Sequence, residues 1–277
     1  MTSVVIPAHN EERVVGRLLN GLVAQAEPGE FDVIVVSNGS QDRTAEVATQ
    51  TPGVRVIEIA EASKHLALVA GDRAATTFPR LYVDADVEID TATARALVAA
   101  LAQPSVLAVA PQRRVVLDGS SWLVRAYYRI WGLLPAVQEG LYGRGVLGVN
   151  AEGYARIAER PQVTGDDLFL HSLFERSERR IVAEGSSVVR GPKTFDDLLK
   201  RRTRAALGNA EIAGRTGGQT VSTGSSGREV VRIALRRPAL WPDVAVFLTV
   251  TMLARVRARR LARTGFDGWL RDESSRS

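Results

Sequence analysis

The sequence predicts an α/β protein, a mainly parallel sheet flanked by helices with a helical carboxyl-terminal extension. Three observations carry that expectation. Over the first 110 residues, short β-branched runs alternate with longer amphipathic patterns. The chain has 277 residues and is 45% apolar, enough to bury a large core and too apolar for wholesale disorder. It has no cysteine, which excludes disulfides, thiolate metal sites, iron–sulfur clusters and thiol catalysis together. A reducing, cytoplasmic setting suits such a chain. Met1 runs straight into the strand-like Ser3–Ile6, so no signal peptide is expected.

Each element has its own signal. Ser3–Ile6 reads as a strand, followed by a helix with Val14, Val15, Leu18, Leu19 and Leu22 on one face. Val33–Val36 is a second strand, ending at the turn Ser37-Asn38-Gly39-Ser40, and Asp42 or Thr44 starts the next helix. Val54–Ile59 alternates as a strand, Leu66–Thr76 as a helix, and Arg80–Val83 as a strand that runs into Asp84-Ala85-Asp86. The repeated β-α order predicts parallel pairing, with ligands at the carboxyl ends of the strands. Further on, Thr91–Gln103 reads as a helix, Val106–Val109 as a strand and Ser121–Leu134 as an aromatic-rich helix. Gly140–Gly148 reads as a loop, Arg180–Val182 and Ser187–Val189 as short strands, and Phe195–Ala213 as a helix. This divides the chain into an α/β domain (1–213), a flexible Gly/Ser/Thr-rich loop (214–228) and a basic helical extension (229–277).

Charge is distributed unevenly. The net charge is +5, but the part from Arg190 onward carries +10 and the part before it −5. That is not a uniform polycation, and no nucleic-acid partner is expected; the basic tail suggests an anionic ligand or surface. The longest apolar stretch, Pro238–Ala254, is interrupted by Asp243. The uninterrupted Val244–Ala254 is 11 residues, short of the roughly 20 that span a bilayer. Trp241–Leu253 followed by Arg255, Arg257, Arg259, Arg260 and Arg263 reads either as an interfacial anchor on anionic lipid or as a core helix with a solvated end. Peripheral contact with the inner face of the cell membrane is one of those two alternatives.

Three segments can carry chemistry. Asp84 and Asp86, at i and i+2 on an extended segment, project to one side, where they suit a divalent cation bridging nucleotide phosphates. The plain alternative is a solvated turn. Pro7-Ala8-His9-Asn10-Glu11-Glu12 follows the first strand, with Pro7 expected to stop the ladder. Asn38-Gly39-Ser40-Gln41-Asp42-Arg43-Thr44 follows the second. Each of these two reads equally well as a turn with a helix cap, Asn10 being the candidate cap in the first.

Together these segments resemble the family 2 glycosyltransferases with the GT-A fold, specifically over residues 3–90 and more loosely to about residue 210. The resemblance implies that residues 1–110 form a nucleotide-sugar half and 111–213 an acceptor half. Pro7, Ala8, His9, Glu11, Asn38 and Asp42 would bind the nucleotide sugar, with Ala8, Glu11 and Asp42 at the base and ribose. Lys64 would lie near the phosphates, Asp84 near the ribose or metal, and Asp86 would ligate Mg²⁺ or Mn²⁺. His9 stands where the family more often has Tyr. Thr164-Gly165-Asp166-Asp167-Leu168 resembles the acceptor-site Glu-Asp motif, with Asp167 as general base and Asp166 in place of Glu; a helix cap is the alternative. Arg201 to Ala205 resembles the Gln-x-x-Arg-Trp segment of processive members, with Arg201 for Gln and Ala205 for Trp. Losing that Trp argues against a polymer-threading synthase. Arg201 and Arg204 share a helical face, suited to a diphosphate or an anionic acceptor, or simply to solvent.

Gly143-Arg144-Gly145-Val146-Leu147-Gly148 satisfies a dinucleotide-binding pattern but follows no clean strand; the resemblance makes it an acceptor-side loop containing Gly145. His65 and His171 read as structural or surface residues, although His171 could face the site of Asp167. The expected function is metal-dependent, inverting transfer of a sugar from a UDP-, GDP- or dTDP-linked donor to an acceptor hydroxyl. The alternatives are a nucleotidyltransferase and a non-catalytic nucleotide-sugar-binding or membrane-docking protein.

Overall fold

Strands β1 (Thr2–Ala8), β2 (Phe31–Asn38), β3 (Val54–Ile59) and β4 (Arg80–Val83) pair in parallel in the order β3-β2-β1-β4, as their β-α spacing predicts. The computed structural model describes residues 1–162, 166–215 and 227–263. The sheet continues through β7 (Val146–Val149), β6 (Ala108–Val116), β8 (Arg179–Arg190) and β5 (Val87–Glu88) to eight strands. β7 runs antiparallel between β4 and β6, β6 and β8 are parallel, and β5 is antiparallel on the edge.

Strand alternation sorts the core into two layers. Val4, Ile6, Val33, Val35, Leu81 and Val83 face helix α1 (Val15–Val23) and helix α4 (Thr91–Leu101). Val5, Ile34, Val36 and Tyr82 face the other way, toward α3 (Lys64–Ala74), α7 (Ala151–Ile157) and α8 (Asp166–Ser172). The short α2 (Thr44–Thr49) follows β2. A third cluster joins α5 (Trp122–Gly132), α6 (Pro135–Glu139), α9 (Phe195–Arg215), α10 (Gly227–Arg236) and α11 (Trp241–Arg263) through Tyr127, Ile130, Val137, Leu198, Val230 and Phe247.

Several expectations are corrected. Pro7 does not end β1 but sits inside it, in register with Val36. The Ser3 N–H points to the β4 side, onto the Pro79 carbonyl, so the nitrogen of Pro7 points there too. The β1–β4 ladder has already ended at Val5, and the missing donor leaves that gap open as a crevice. The expected loop at 140–148 contains β7, and α7 was not foreseen. The two short strands after residue 179 are one strand with an irregularity opposite Pro111/Gln112. Helices α9 and α10 run into the edges of the 214–228 segment, whose residues 216–226 lie outside the described residues. Pro238–Arg263 is, by length and composition, long and apolar enough to cross a membrane, which the count of uninterrupted apolar residues did not anticipate.

Candidate active site

The crevice at the carboxyl ends of β1 and β4 gathers most of the chemistry. Pro7, Lys64, Tyr82, Asp84, Gly143, Gly145, Asp166 and Asp167 all line one cleft. Asp84 follows β4, Lys64 opens α3 behind the Ser63 cap, and Asp166 and Asp167 open α8. Acidic residues in the first turn suit a helix start, so the helix-start and site readings of Asp166-Asp167 coexist. Thr164 and Gly165 lie outside the described residues.

Lys64 Nζ stands 2.9 Å from Asp84 Oδ1 and 2.9 Å from Asp166 Oδ2, bridging two segments some eighty residues apart in sequence. Desolvation opposes its charge, but Asp166 and Asp84 outweigh that and hold the ammonium above its ordinary range. Desolvation raises Asp84, against the pull of Lys64 and with the push of Asp86 and Asp166. For Asp166 desolvation is overcome by Lys64, the Asp167 N–H and Arg204, and its carboxyl lies low. The side chains of Lys64 and Asp84 remain 34% and 39% exposed at the cleft mouth, so solvent screens the pair.

Asp167 is held at both oxygens. Gly143 N–H donates to Oδ2 at 2.7 Å and Leu168 N–H to Oδ1 at 2.8 Å. Desolvation and the neighbouring Asp166 nevertheless raise its pKa, against the pull of Lys64 and those two donors. The result is an oriented carboxylate of raised basicity.

The loop facing it is shaped by Gly143 and Gly145, both at positive φ (65° and 66°). The Gly145 carbonyl accepts the Asp84 N–H at 2.8 Å, and a Cβ on Gly145 would meet Val87 Cγ1 at 2.3 Å. The glycine pattern precedes and enters β7 instead of joining a strand to a helix, which rules out a dinucleotide fingerprint there. Two arginines whose role the sequence reading missed tie this loop to α6 and β6. Buried Arg144 donates to Gly140, Pro111, Val137 and Gln138 oxygens at 2.6 to 3.3 Å, and Arg113 donates to the Gly143 oxygen at 2.9 Å. Desolvation lowers their pKa to about 10 and about 9, Arg113 also feeling the charge of Arg144. His171 is buried, and its Nδ1 accepts the Leu141 N–H at 3.2 Å, so it braces the loop from behind.

Of the amino-terminal segments only Pro7 lines this cleft; the rest are stitched to one another, and Asp42 lines a separate surface groove with Glu46 and Glu58. His9 Nδ1–H donates to the Asn38 carbonyl at 2.6 Å, and Asn38 Nδ2 donates to the Ala8 carbonyl at 2.9 Å. Glu11 N–H donates to Thr44 Oγ1 and Glu12 N–H to Asp42 Oδ2, at 2.7 and 3.1 Å. Asp42 Oδ1 also accepts the Thr44 N–H at 3.0 Å, closing a turn just before α2; Asp42 is not the cap of that helix, whose cap position is Arg43. Asn10 does not cap α1: it takes a φ of 51° and its Oδ1 accepts the Gln41 N–H at 2.8 Å, stitching the two loops together.

Asp84 and Asp86 are not on an extended segment. Val87 N–H returns to the Asp84 carbonyl at 3.3 Å, so Asp84–Val87 is a turn, and the charge of Asp86 is felt at Asp84 within it. Among the described residues no group of three acids or histidines could hold a metal by itself. What the turn offers is one or two hard carboxylates beside a cleft. That donor set fits Mg²⁺ or Mn²⁺ completed by substrate phosphate and water. Arg201 donates to the Arg190 carbonyl at 3.1 Å, outside the cleft lining, while exposed Arg204 acts on Asp166 by its charge. His65, on α3, does not line the cleft.

This chain is similar to known proteins in sequence and in fold. A curated relative, 4,4'-diaponeurosporenoate glycosyltransferase of Staphylococcus aureus (strain USA300), is 37% identical over 91 residues. The match takes in 31% of this chain and 24% of the relative, about a quarter of its length. Three solved structures share the fold. Mannosyltransferase PcManGT from Pyrobaculum calidifontis, in complex with GDP-Man and Mn²⁺, has a TM-score of 0.60 at 19% identity, over 96% of this chain and 81% of that one. Glucosyl-3-phosphoglycerate synthase from Mycobacterium tuberculosis, with Mn²⁺, UDP and glucosyl-3-phosphoglycerate, gives 0.56 at 20%, over 78% and 80%. S. aureus TarS 1–349 gives 0.51 at 15%, over 96% and 92%. The profile described as Glycosyl transferase family 2 matches residues 3–155, from β1 through the cleft loop into α7. With more than half of its length matched, this chain belongs to glycosyl transferase family 2.

Proposed function

We propose that the protein transfers a sugar from a nucleoside-diphosphate donor to an acceptor hydroxyl, with inversion and with the help of a divalent cation. One observation carries this reading: Asp84 and the Asp166-Asp167 pair meet in one cleft, bridged by Lys64 at 2.9 Å to each side. Family membership supplies the donor class. Proteins of the same fold form complexes with GDP-Man and with UDP, and both bases belong among the donors to be tried.

In this mechanism the segments carrying Ala8, Glu11 and Asp42 receive the base and ribose, and Lys64 neutralises the phosphates. Asp86, with Asp84 beside it, would hold Mg²⁺ or Mn²⁺, which when bound supplies Lewis-acid stabilisation of the departing diphosphate. Asp167 takes the proton of the acceptor hydroxyl as that oxygen bonds to the anomeric carbon, while the bond from that carbon to the diphosphate oxygen breaks. Its two backbone donors keep it aimed, and each carboxylate oxygen retains a further lone pair for the acceptor. A single displacement with no enzyme nucleophile in the path inverts the anomeric centre.

The test is calorimetric titration of UDP-, GDP- and dTDP-sugars with Mg²⁺ or Mn²⁺ and with chelator, for the native protein and Asp86→Ala. Metal-dependent binding of one donor, weakened in the variant, is expected. Folded protein that binds none of them would sink the transferase reading.

A further inference from the structure

Helix α11 is apolar on two sides. Val244, Phe247 and Val250 are buried against the body of the protein, with the Phe247 ring stacked on Tyr127 at 5.0 Å. The opposite side presents Trp241, Leu248, Met252 and Val256, which are 60%, 51%, 61% and 40% exposed. Helix α10 repeats the pattern, with Val230 buried and Val231 and Leu235 exposed. Trp241 Nε1 donates to the Ala234 carbonyl at 2.8 Å, which ties the two helices together. In the most apolar 18-residue window of Pro238–Arg263 only 28% is buried, far less than a core helix requires.

The charge around this surface is one-sided. Four arginines between Arg228 and Arg237 precede the apolar stretch and five between Arg255 and Arg263 follow it. Over residues 227–263 the only acids are Glu229 and Asp243, and Asp243 is buried and paired with Arg129 at 2.8 Å. Exposed aliphatic and Trp side chains between arginine clusters complement a bilayer with anionic headgroups. A second copy fits less well, because a symmetric interface would set the arginine rims against each other. Crossing the bilayer would strip Phe247 and Asp243 from their partners, so the helix lies along the surface.

We propose that the outer face of α10 and α11 is a docking surface for an anionic membrane. The proposal stands on the carboxyl-terminal helices alone and goes beyond the transferase reading of the cleft.

Sedimentation of the full chain with phosphatidylglycerol/phosphatidylcholine vesicles, against phosphatidylcholine vesicles, tests it. Binding to the anionic vesicles, weakened by salt, is expected. Leu248→Asp with Met252→Asp should lower the partition by about tenfold or more. Arg259→Ala with Arg260→Ala should lower it by roughly 25-fold on anionic vesicles. All four positions lie off the core, and an unchanged thermal unfolding midpoint checks that the variants are folded. Equal binding to both vesicle types, or sedimentation unaffected by either double variant, overturns the proposal. So does a solution dimer that Leu248→Asp/Met252→Asp dissociates while vesicles bind nothing, since the face would then be covered by a second copy.

Discussion

At the scale of single residues, the decisive contrast is between Asp166 and Asp167, adjacent in sequence and opposite in behaviour. Lys64 and Arg204 hold the first low, whereas desolvation and the charge of the first hold the second high. A base must be ionised to accept a proton, and a raised pKa makes it a better acceptor near neutral pH. Turnover should therefore fall as pH drops through an acid limb lying above the ordinary aspartate value of about 3.9. Asp167→Asn should lower kcat by about 10²- to 10⁴-fold with donor binding retained, and its residual activity should lack that limb. A pH profile of kcat for both proteins, beside donor titration, checks this; an unchanged limb would point to another base. Asp84 and Asp86 were legible in sequence as candidates because carboxylates at the end of an apolar strand are locally conspicuous, whereas Asp166 and Asp167 took their site reading from the family resemblance. Lys64 could be named only through a resemblance, since nothing in Ser63-Lys64-His65 indicates what it will face.

At the scale of elements, the loop from α6 to β7 is the part the sequence described least well. Its glycines suggested a loop, yet its shape depends on Arg144, whose guanidinium satisfies four backbone carbonyls. An arginine without a carboxylate partner leaves no sequence signature of that role. Arg144→Leu should leave those buried carbonyls unpaired and cost roughly 2–5 kcal/mol, read from the urea midpoint at constant m-value. Because Gly143 aims Asp167 and Gly145 holds Asp84, the same variant should lose turnover beyond its loss of stability. Strand β7 was missed for a related reason: its neighbours are β4, some sixty residues earlier, and β6, and no local pattern encodes antiparallel insertion between them. The parallel strands β1 to β4 were legible because each is a β-branched run separated by a helix, which leaves few topologies open.

At the scale of the whole molecule, the sheet and the carboxyl-terminal helices supply different things. The parallel half opens a crevice where the ladder from β1 to β4 stops, and α8, carrying Asp166 and Asp167, closes its far side. Donor binding therefore links parts of the fold that are remote in the chain and should stabilise it globally. With metal present and donor at a hundred times its Kd, stabilisation should be about 2.7 kcal/mol. A raised melting midpoint that chelator removes is the expected result, and Asp86→Ala should abolish the metal-dependent part. What the sequence alone determined is the material of the protein: strand and helix runs, the acids at their ends, and the uneven charge. Those follow from local periodicity and composition, which need no knowledge of distant neighbours. The tertiary structure decided which acid meets Lys64, which backbone groups aim Asp167, and which side of α11 stays outside. Each of these depends on contacts between segments tens to a hundred residues apart, set by packing across the sheet and not by any short stretch of sequence.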